Sequence, residues 1–381
     1  MLSRFLAVSL VVVSTAALLP AQTPADAKAL DIYFIDTEGG QATLYVSPSG
    51  QTLLVDTGNA GERDLGRILG VLELAGVKQI DHLFLTHYHG DHYGSMPELS
   101  KRIPIKHFYD HGDSVELDRP AIAAFAKVYA ELVGKTAHTV VKPGDKIALA
   151  GTDITVVTSA GNVLQTPIAK APGAGRPNPA CASFKERDES RVDPDNHQSA
   201  GFVLTYGRFR MLNLGDFTWN REFKLMCPNN PIGTVDLYLT SHHGLDQSGS
   251  AALVHGVRPR VAIMNNGTRK GGCPDGGDSR IVAWPRRSLA AALVVLGRRR
   301  AQRARRDDRE YRRARAARGN PHQPGARCAT GRRTAAGGSG GNAAHSPAHY
   351  LKVSARTDGS FRSRTAATST RDLRREELRR V

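Results

Sequence analysis

The stretch Thr86–Gly94, THYHGDHYG, sets His87, His89, Asp91 and His92 within six positions. In an extended loop, residues two apart point the same way, so His87 and His89 can grip one cation while Asp91 and His92 turn toward a second. Nitrogen and carboxylate donors at this density suit zinc, with manganese or iron as alternatives. Further along, Asp216 closes LNLGD, and His242 and His243 close DLYLTSHHG. Each follows an apolar run, where a side chain either joins such a site or serves as an ordinary turn residue. No G-x-S-x-G element follows a strand-like run to supply a serine nucleophile, and no G-x-x-x-x-G-K-[ST] loop supplies a phosphate cradle.

These side chains need strand ends to hold them. From Leu30, the segments LDIYFID, ATLYVSP and TLLVDTG are short alternating or fully apolar runs joined by glycine-containing turns. Between Glu62 and Ala75, Leu65, Ile68, Leu69 and Leu72 recur at three- and four-residue spacing, which predicts a helix. DHLFLT returns as a buried strand, with THYHGDHYG at its carboxyl end. Pro120 opens a second helix in RPAIAAFAKVYAELVGK, and KIALAGTDITVVTSAG reads as a hairpin-like pair of strands. Residues 160–198, rich in Pro, Gly and Asn, read as a long surface loop. GFVLTYG and FRMLNLGD form a hairpin turning at Gly207, and TVDLYLT and RPRVAIMNN give two more buried strands. Strands interleaved with helices in two similar halves predict a two-sheet α/β sandwich.

Charge separates the tail from the rest. Residues 281–381 hold 25 of the 52 Lys and Arg but 7 of the 36 Asp and Glu, a net of +18, which leaves −2 for residues 1–280. The sequence pI of about 10.0 therefore carries no nucleic-acid or membrane reading for the folded part. Residues 276–341 and 362–381 are dominated by Arg and Ala without a consistent apolar face, as in GRRRAQRARRDDREYRRARAARG. Such text fits a disordered tail, an arginine-rich nucleic-acid arm, or a shift of reading frame; the last is preferred, and both stretches are expected to be unstructured. Between them, in residues 342–361, HYLKVSARTDGSF alternates apolar and polar residues before an Asp-Gly turn, as an edge strand and hairpin would.

Residues 1–22 combine Arg4, an apolar run from Phe5 to Leu19 and small residues around Ala21, which reads as an export signal, with a retained anchor as the alternative. In an oxidising compartment Cys181 and Cys227, each in a Pro/Asn-rich loop, could pair as a disulfide or remain half-buried thiols.

Through H-x-H-x-D-H at His87, His89, Asp91 and His92, the sequence resembles the metallo-β-lactamase-fold hydrolases, over roughly residues 31–272. The resemblance implies a four-layer αβ/βα sandwich over residues 29–275, with a disordered or out-of-frame C-terminal region. It implies metal ligation by His87, His89, Asp91 and His92, with Asp216 bridging two metals and Asp56 of TLLVDTG supporting the ligand loop from behind. His242 is the preferred last ligand, by its place directly after the strand, and His243 is then a proton donor or a polar loop residue. Where the family supplies another histidine, DNHQSAGFVL has Asn196, with His197 beside it as a candidate replacement. This N-x-x-S pattern, with FIDTEGGQATLYVSPSGQTLLVDTG, HHG and RPRVAIMNNG, is similar to the hydrolase domain of DNA-uptake competence proteins.

Two zinc ions are therefore expected, or one if Asn196 weakens the first site. Water held between two dications is acidified toward hydroxide and attacks phosphorus or a carbonyl carbon, with Asp91 and Asp216 as the catalytic carboxylates. The expected protein is an exported, periplasmic or extracellular hydrolase acting on a small-molecule or nucleic-acid phosphodiester, without a stable membrane partner. Alternatives are lactamase- or lactonase-type hydrolysis of a carbonyl, and a metal-binding protein with little turnover.

Overall fold

Alternation along the first strand sets the architecture. In β1 (Leu30–Ile35), Leu30, Ile32 and Phe34 enter one apolar cluster while Tyr33 and Ile35 enter another, so both faces of the strand are covered. This is a computed structural model that describes residues 28–265, 292–296, 349–365 and 371–373. The export signal expected in residues 1–22 lies outside the described residues.

The chain continues through β2 (Thr43–Val46), β3 (Thr52–Val55), α1 (Glu62–Leu74), β4 (His82–Phe84), α2 (Gly90–Tyr93), α3 (Met96–Leu99), β5 (His107–Asp110), α4 (Pro120–Val133) and β6 (Ala137–Val140). It then passes through β7 (Lys146–Ile147), β8 (Asp153–Ser159), β9 (Asn162–Val163), β10 (Arg176–Pro177), β11 (Gly201–Tyr206), β12 (Phe209–Asn213), α5 (Trp219–Met226), β13 (Asn229–Asn230), β14 (Leu237–Leu239), α6 (Ala251–Val257), β15 (Val261–Asn265) and β16 (Ala292–Leu296). Last come β17 (Tyr350–Ala355), β18 (Phe361–Thr365) and β19 (Arg371–Leu373). Among the described residues a nine-stranded sheet runs β19-β18-β17-β1-β2-β3-β4-β5-β6 and an eight-stranded sheet includes the path β16-β15-β14-β12-β11-β8-β7.

Between the sheets Phe34, Tyr45, Phe84, Phe202, Phe209 and Met211 share one core. The outer face of the first sheet, with Leu54, Leu83 and Phe108, is covered by Leu65, Ile68 and Leu72 of α1 and Phe125 of α4. The outer face of the second, with Val203, Leu212 and Tyr238, is covered by Leu225 of α5 and Leu253 of α6. Helix, sheet, sheet, helix is the four-layer αβ/βα sandwich expected, because each strand apolar on both sides needs a layer on both sides.

Three stretches differ from expectation. β17 is no edge strand: it lies between β1 and β18, with Leu351, Val353 and Ala355 in the inter-sheet core. Contrary to the expectation from composition, Ala292–Leu296 forms β16, paired in parallel with β15, and β18 and β19 extend the first sheet beyond Phe361. ALVVL is an apolar, β-branched run, and strand addition uses backbone groups that every residue carries. The Pro/Gly-rich loop over residues 160–198 is pinned by a disulfide between Cys181 and Cys227, with Cα atoms 5.8 Å apart; Cys273 and Cys328 lie outside the described residues. No described helix is long and apolar enough to cross a membrane.

The β11–β12 turn docks on the β17–β18 turn. Gly207 has φ 57°, and a Cβ there would lie 2.3 Å from the Thr357 carbonyl oxygen, so only glycine fits. Arg208 N donates to that same carbonyl at 2.7 Å.

Candidate metal centre

The candidate residues gather at strand ends. Asp56 follows β3, the loop from Thr86 to His92 follows β4, Asp216 follows β12, and His242 and His243 follow β14. The carboxyl end of strands in an open sheet is the usual crevice for ligands in α/β folds. Close approach of the two sheets depends on Gly215, where a Cβ would stand 2.8 Å from the Thr86 Cβ. His242 and His243 occupy the left-handed region at φ 51° and 54°, each costing on the order of 1–3 kcal/mol that surrounding packing must offset. That conformation turns both side chains back toward Asp216: His242 Nε2 lies 3.5 Å and His243 Nε2 3.3 Å from Asp216 Oδ2.

Outside acceptors assign the protons of His92, His87, His243 and His89. His92 Nδ1 donates to Asp56 Oδ2 at 2.8 Å, which leaves Nε2 as its lone-pair nitrogen. The Thr86 hydroxyl donates to Asp56 Oδ2 at 2.8 Å, so toward His87 Nδ1, 3.1 Å away, it can only accept. His243 Nδ1 donates to the Asn265 carbonyl at 3.1 Å. His89 Nε2 donates to Glu116 Oε2 at 2.9 Å. The remaining nitrogens face inward: His87 Nε2 is 3.0 Å from His89 Nδ1, and His92 Nε2 is 3.2 Å from His243 Nε2. Lone pairs that converge in this way suit a cation between them.

Electrostatics agree. Burial, then the neighbouring His92 and His89 rings, hold the His87 pKa well below the usual histidine value. Burial opposes a charge on His92, but Asp216 and Asp56 outweigh it and hold its pKa well above that value. Burial likewise opposes ionisation of Asp216, yet His243, His92 and His242 hold its pKa well below the carboxylate range. The cluster thus demands positive charge, which a dication supplies to the same donors.

Among the described residues two groups are close enough to hold an ion: His87 with His92 and Asp216, and Asp91 with His92 and His243. The donor set fits a metal of the zinc or iron type. Both groups share His92, and one nitrogen serves one ion, so they compete unless His87 and His89 complete the first. Asp216 Oδ1 stands 3.3 Å from His92 Nε2, and its Oδ2 3.9 Å from His87 Nε2. Asp91 Oδ2 lies 3.4 Å from His243 Nε2. Of the last two histidines, His243 lies in one of these groups, and His242, the expected ligand, lies beside Asp216.

Asn196 is buried in a 3₁₀ turn (Pro194–Gln198), and its Oδ1 has no hydrogen-bond partner. His197 has its Nδ1 2.9 Å from Thr218 Oγ1 and 3.6 Å from Glu189 Oε2, outside the groups of donors above. The turn's flanks hold the ligand loops: Asp195 Oδ2 accepts from Tyr88 N at 2.6 Å, and Ser199 Oγ accepts from Asp216 N at 3.2 Å. Asp195, Ser199, Thr86 and Glu116 are missing from the sequence-derived site. Nothing in GDSVELD sets Glu116 apart from Asp113 or Asp118.

The model of the family described as Metallo-beta-lactamase superfamily matches residues 35–263. The chain is similar to the Lactamase-like protein nscB of Aspergillus fumigatus, 30% identical over 140 residues that make up 36% of this chain and 42% of that protein. It is also similar to the Atrochrysone carboxyl ACP thioesterase dmxR1 of Cryptosporiopsis sp., 35% identical over 77 residues, 20% of this chain and 24% of that one. These matches span less than half the length of either relative. Among solved structures, the metallo-beta-lactamase fold protein YhfI from Bacillus subtilis is similar at 14% identity and TM-score 0.41, over 70% of this chain and 96% of that chain.

Proposed function

From the premise that the chain belongs to the metallo-beta-lactamase superfamily, we propose that it is an exported metal-dependent hydrolase of phosphodiesters. The observation that carries the metal-dependent part is the inward-facing nitrogens of His87, His89, His92 and His243, with the Asp216 carboxylate beside those of His87, His92 and His243. His87, His92 and Asp216, completed by His89, would hold one ion; Asp91 and His243 would hold a neighbouring one. A bound dication acidifies water and polarises the bond to be cleaved. Asp216 keeps the opposed histidines in register and supplies the negative charge that retains the cation. Asp91, with a side chain 21% exposed, is the more open carboxylate and is placed to take a proton from an incoming water. His242, not drawn into a group, is placed to return a proton to the leaving group.

Export is supported by the signal-like residues 1–22 and by the Cys181–Cys227 disulfide, which persists in an oxidising compartment. The phosphodiester choice rests on similarity of N-x-x-S, HHG and RPRVAIMNNG to the competence-protein hydrolase domain. A second reading, attack on a carbonyl, is favoured by the relative named as a thioesterase. Purified protein assayed on a nitrophenyl phosphodiester, a lactone and a thioester decides between them. Chelation should abolish phosphodiester cleavage and zinc should restore it; undiminished turnover after chelation overturns the metal-dependent reading, and faster thioester or lactone cleavage replaces the substrate class.

A further inference from the structure

We infer that Glu116 is the positioning residue that presents His89 Nδ1 to the cluster, an inference that rests on the metal-dependent reading above. Three of the histidines are set by acceptors inside the sandwich: Asp56 for His92, Thr86 for His87 and the Asn265 carbonyl for His243. His89 is different. Its side chain is 13% exposed, and its Nε2 reaches a carboxylate on the loop that leads into α4. At 2.9 Å an ionised carboxylate can only accept, so the proton sits on Nε2 and the lone pair on Nδ1. Without that acceptor the other tautomer becomes available and turns an N–H toward His87 Nε2, 3.0 Å away.

The loop is built to keep the acid there. Glu116 is buried, whereas its neighbours Val115 and Leu117 are 54% and 48% exposed. Packing alone would turn the apolar pair inward and the acid outward, so the opposite arrangement marks a residue held for what it touches. The loop backbone is fastened accordingly: Glu116 N donates to Ser114 Oγ at 3.1 Å, while Ser114 Oγ and Val115 N donate to Asp195 Oδ1 at 3.0 and 3.1 Å. Asp195 also accepts from Tyr88 N, beside His89, so ring and carboxylate are referred to one anchor. Arg119 Nη1 reaches the same Glu116 oxygen at 3.1 Å and Asp193 Oδ1 at 3.2 Å, but its side chain is 49% exposed and it does not touch the histidine ring through either bond.

The test uses zinc alone as the probe. Zinc affinity, measured by competition with a chelator, should fall about 10- to 100-fold in Glu116→Ala. Glu116→Gln, whose amide oxygen still accepts from Nε2, should recover most of that loss, and Arg119→Ala should change affinity at most about twofold. NMR of the zinc-loaded protein with nitrogen-labelled histidine should show the His89 proton on Nε2 in the wild type and in Glu116→Gln. Zinc binding by Glu116→Ala equal to wild type overturns the inference, as does a loss in Arg119→Ala matching that in Glu116→Ala, which would reduce Glu116 to an ion-pair partner. A wild-type His89 proton on Nδ1 overturns it even if the alanine variant does not fold. A wild-type chain that binds no zinc refutes the metal-dependent reading itself, a separate outcome.

Discussion

His87, His89, Asp91 and His92 hang from a single loop after β4, whereas Asp216, His242 and His243 arrive from two strand ends of the other sheet. The first half is braced by side chains: Asp56 holds His92, Glu116 holds His89, and Asp195 holds the loop backbone between His87 and His89. The second half is braced by backbone, with His242 and His243 in left-handed conformations, Gly215 against Thr86, and the following turn fastened to Glu222. A side-chain brace can be cut one bond at a time. A backbone brace yields only when the turn itself is disturbed, so equal-sized substitutions on the two sides should differ in what they damage.

The largest expected effect is at the point where the halves meet. Asp216→Ala should lower turnover by about a thousandfold or more and reduce bound metal, because this carboxylate faces histidines of both halves. Near wild-type activity with full metal content would show that the halves work independently.

On the backbone-braced side, Glu222 is fully buried and accepts from Gly249 N at 2.8 Å and Ser250 N at 2.6 Å. Burial pushes its pKa up from 4.5 to about 7. A carboxyl raised in the folded state binds its proton more tightly there than when unfolded, so its contribution is most favourable below pH 4.5 and is lost as pH rises to about 7. At about 1.4 kcal/mol per pH unit the loss is on the order of 3 kcal/mol. Denaturant midpoints compared across this window should fall more steeply in the wild type than in Glu222→Gln; parallel curves would remove Glu222 from the brace.

On the side-chain-braced half, Asp56→Ala should weaken metal affinity about 10- to 100-fold while the far turn keeps its shape. Affinity equal to wild type would mean that Thr86 alone orients His87 and His92. The smallest contrast separates the adjacent histidines. His243→Ala should cost metal affinity about tenfold more than His242→Ala, whose effect should fall on turnover instead. Equal losses of metal from both variants would make His242 a ligand alongside His243.

How much of this was legible beforehand follows the same division. THYHGDHYG announces itself because its donors are contiguous, and Asp56 and Asp216 stand at the ends of apolar runs whose strand character is plain. The choice between His242 and His243 was not legible, since two left-handed residues in succession leave no mark on residue type. Glu116 and Asp195 were invisible for another reason: each acts across a long sequence separation, and an acid in a polar loop looks the same whether it faces solvent or a histidine. In the fold, alternation in YLKVSA gave the strand but not its neighbours, because pairing partners on both sides are a property of topology.

That topology orders events in time. Leu30 of β1 pairs with Ala355 of β17, and the β11–β12 turn at Gly207 is keyed to Thr357 beyond it. As the chain is synthesised, β1 appears first and keeps one edge of open N–H and C=O groups until β17 emerges, after both halves of the cluster. The pairing of β1 with β17 therefore waits for residues more than 300 positions further along, and contacts of such sequence separation form slowly.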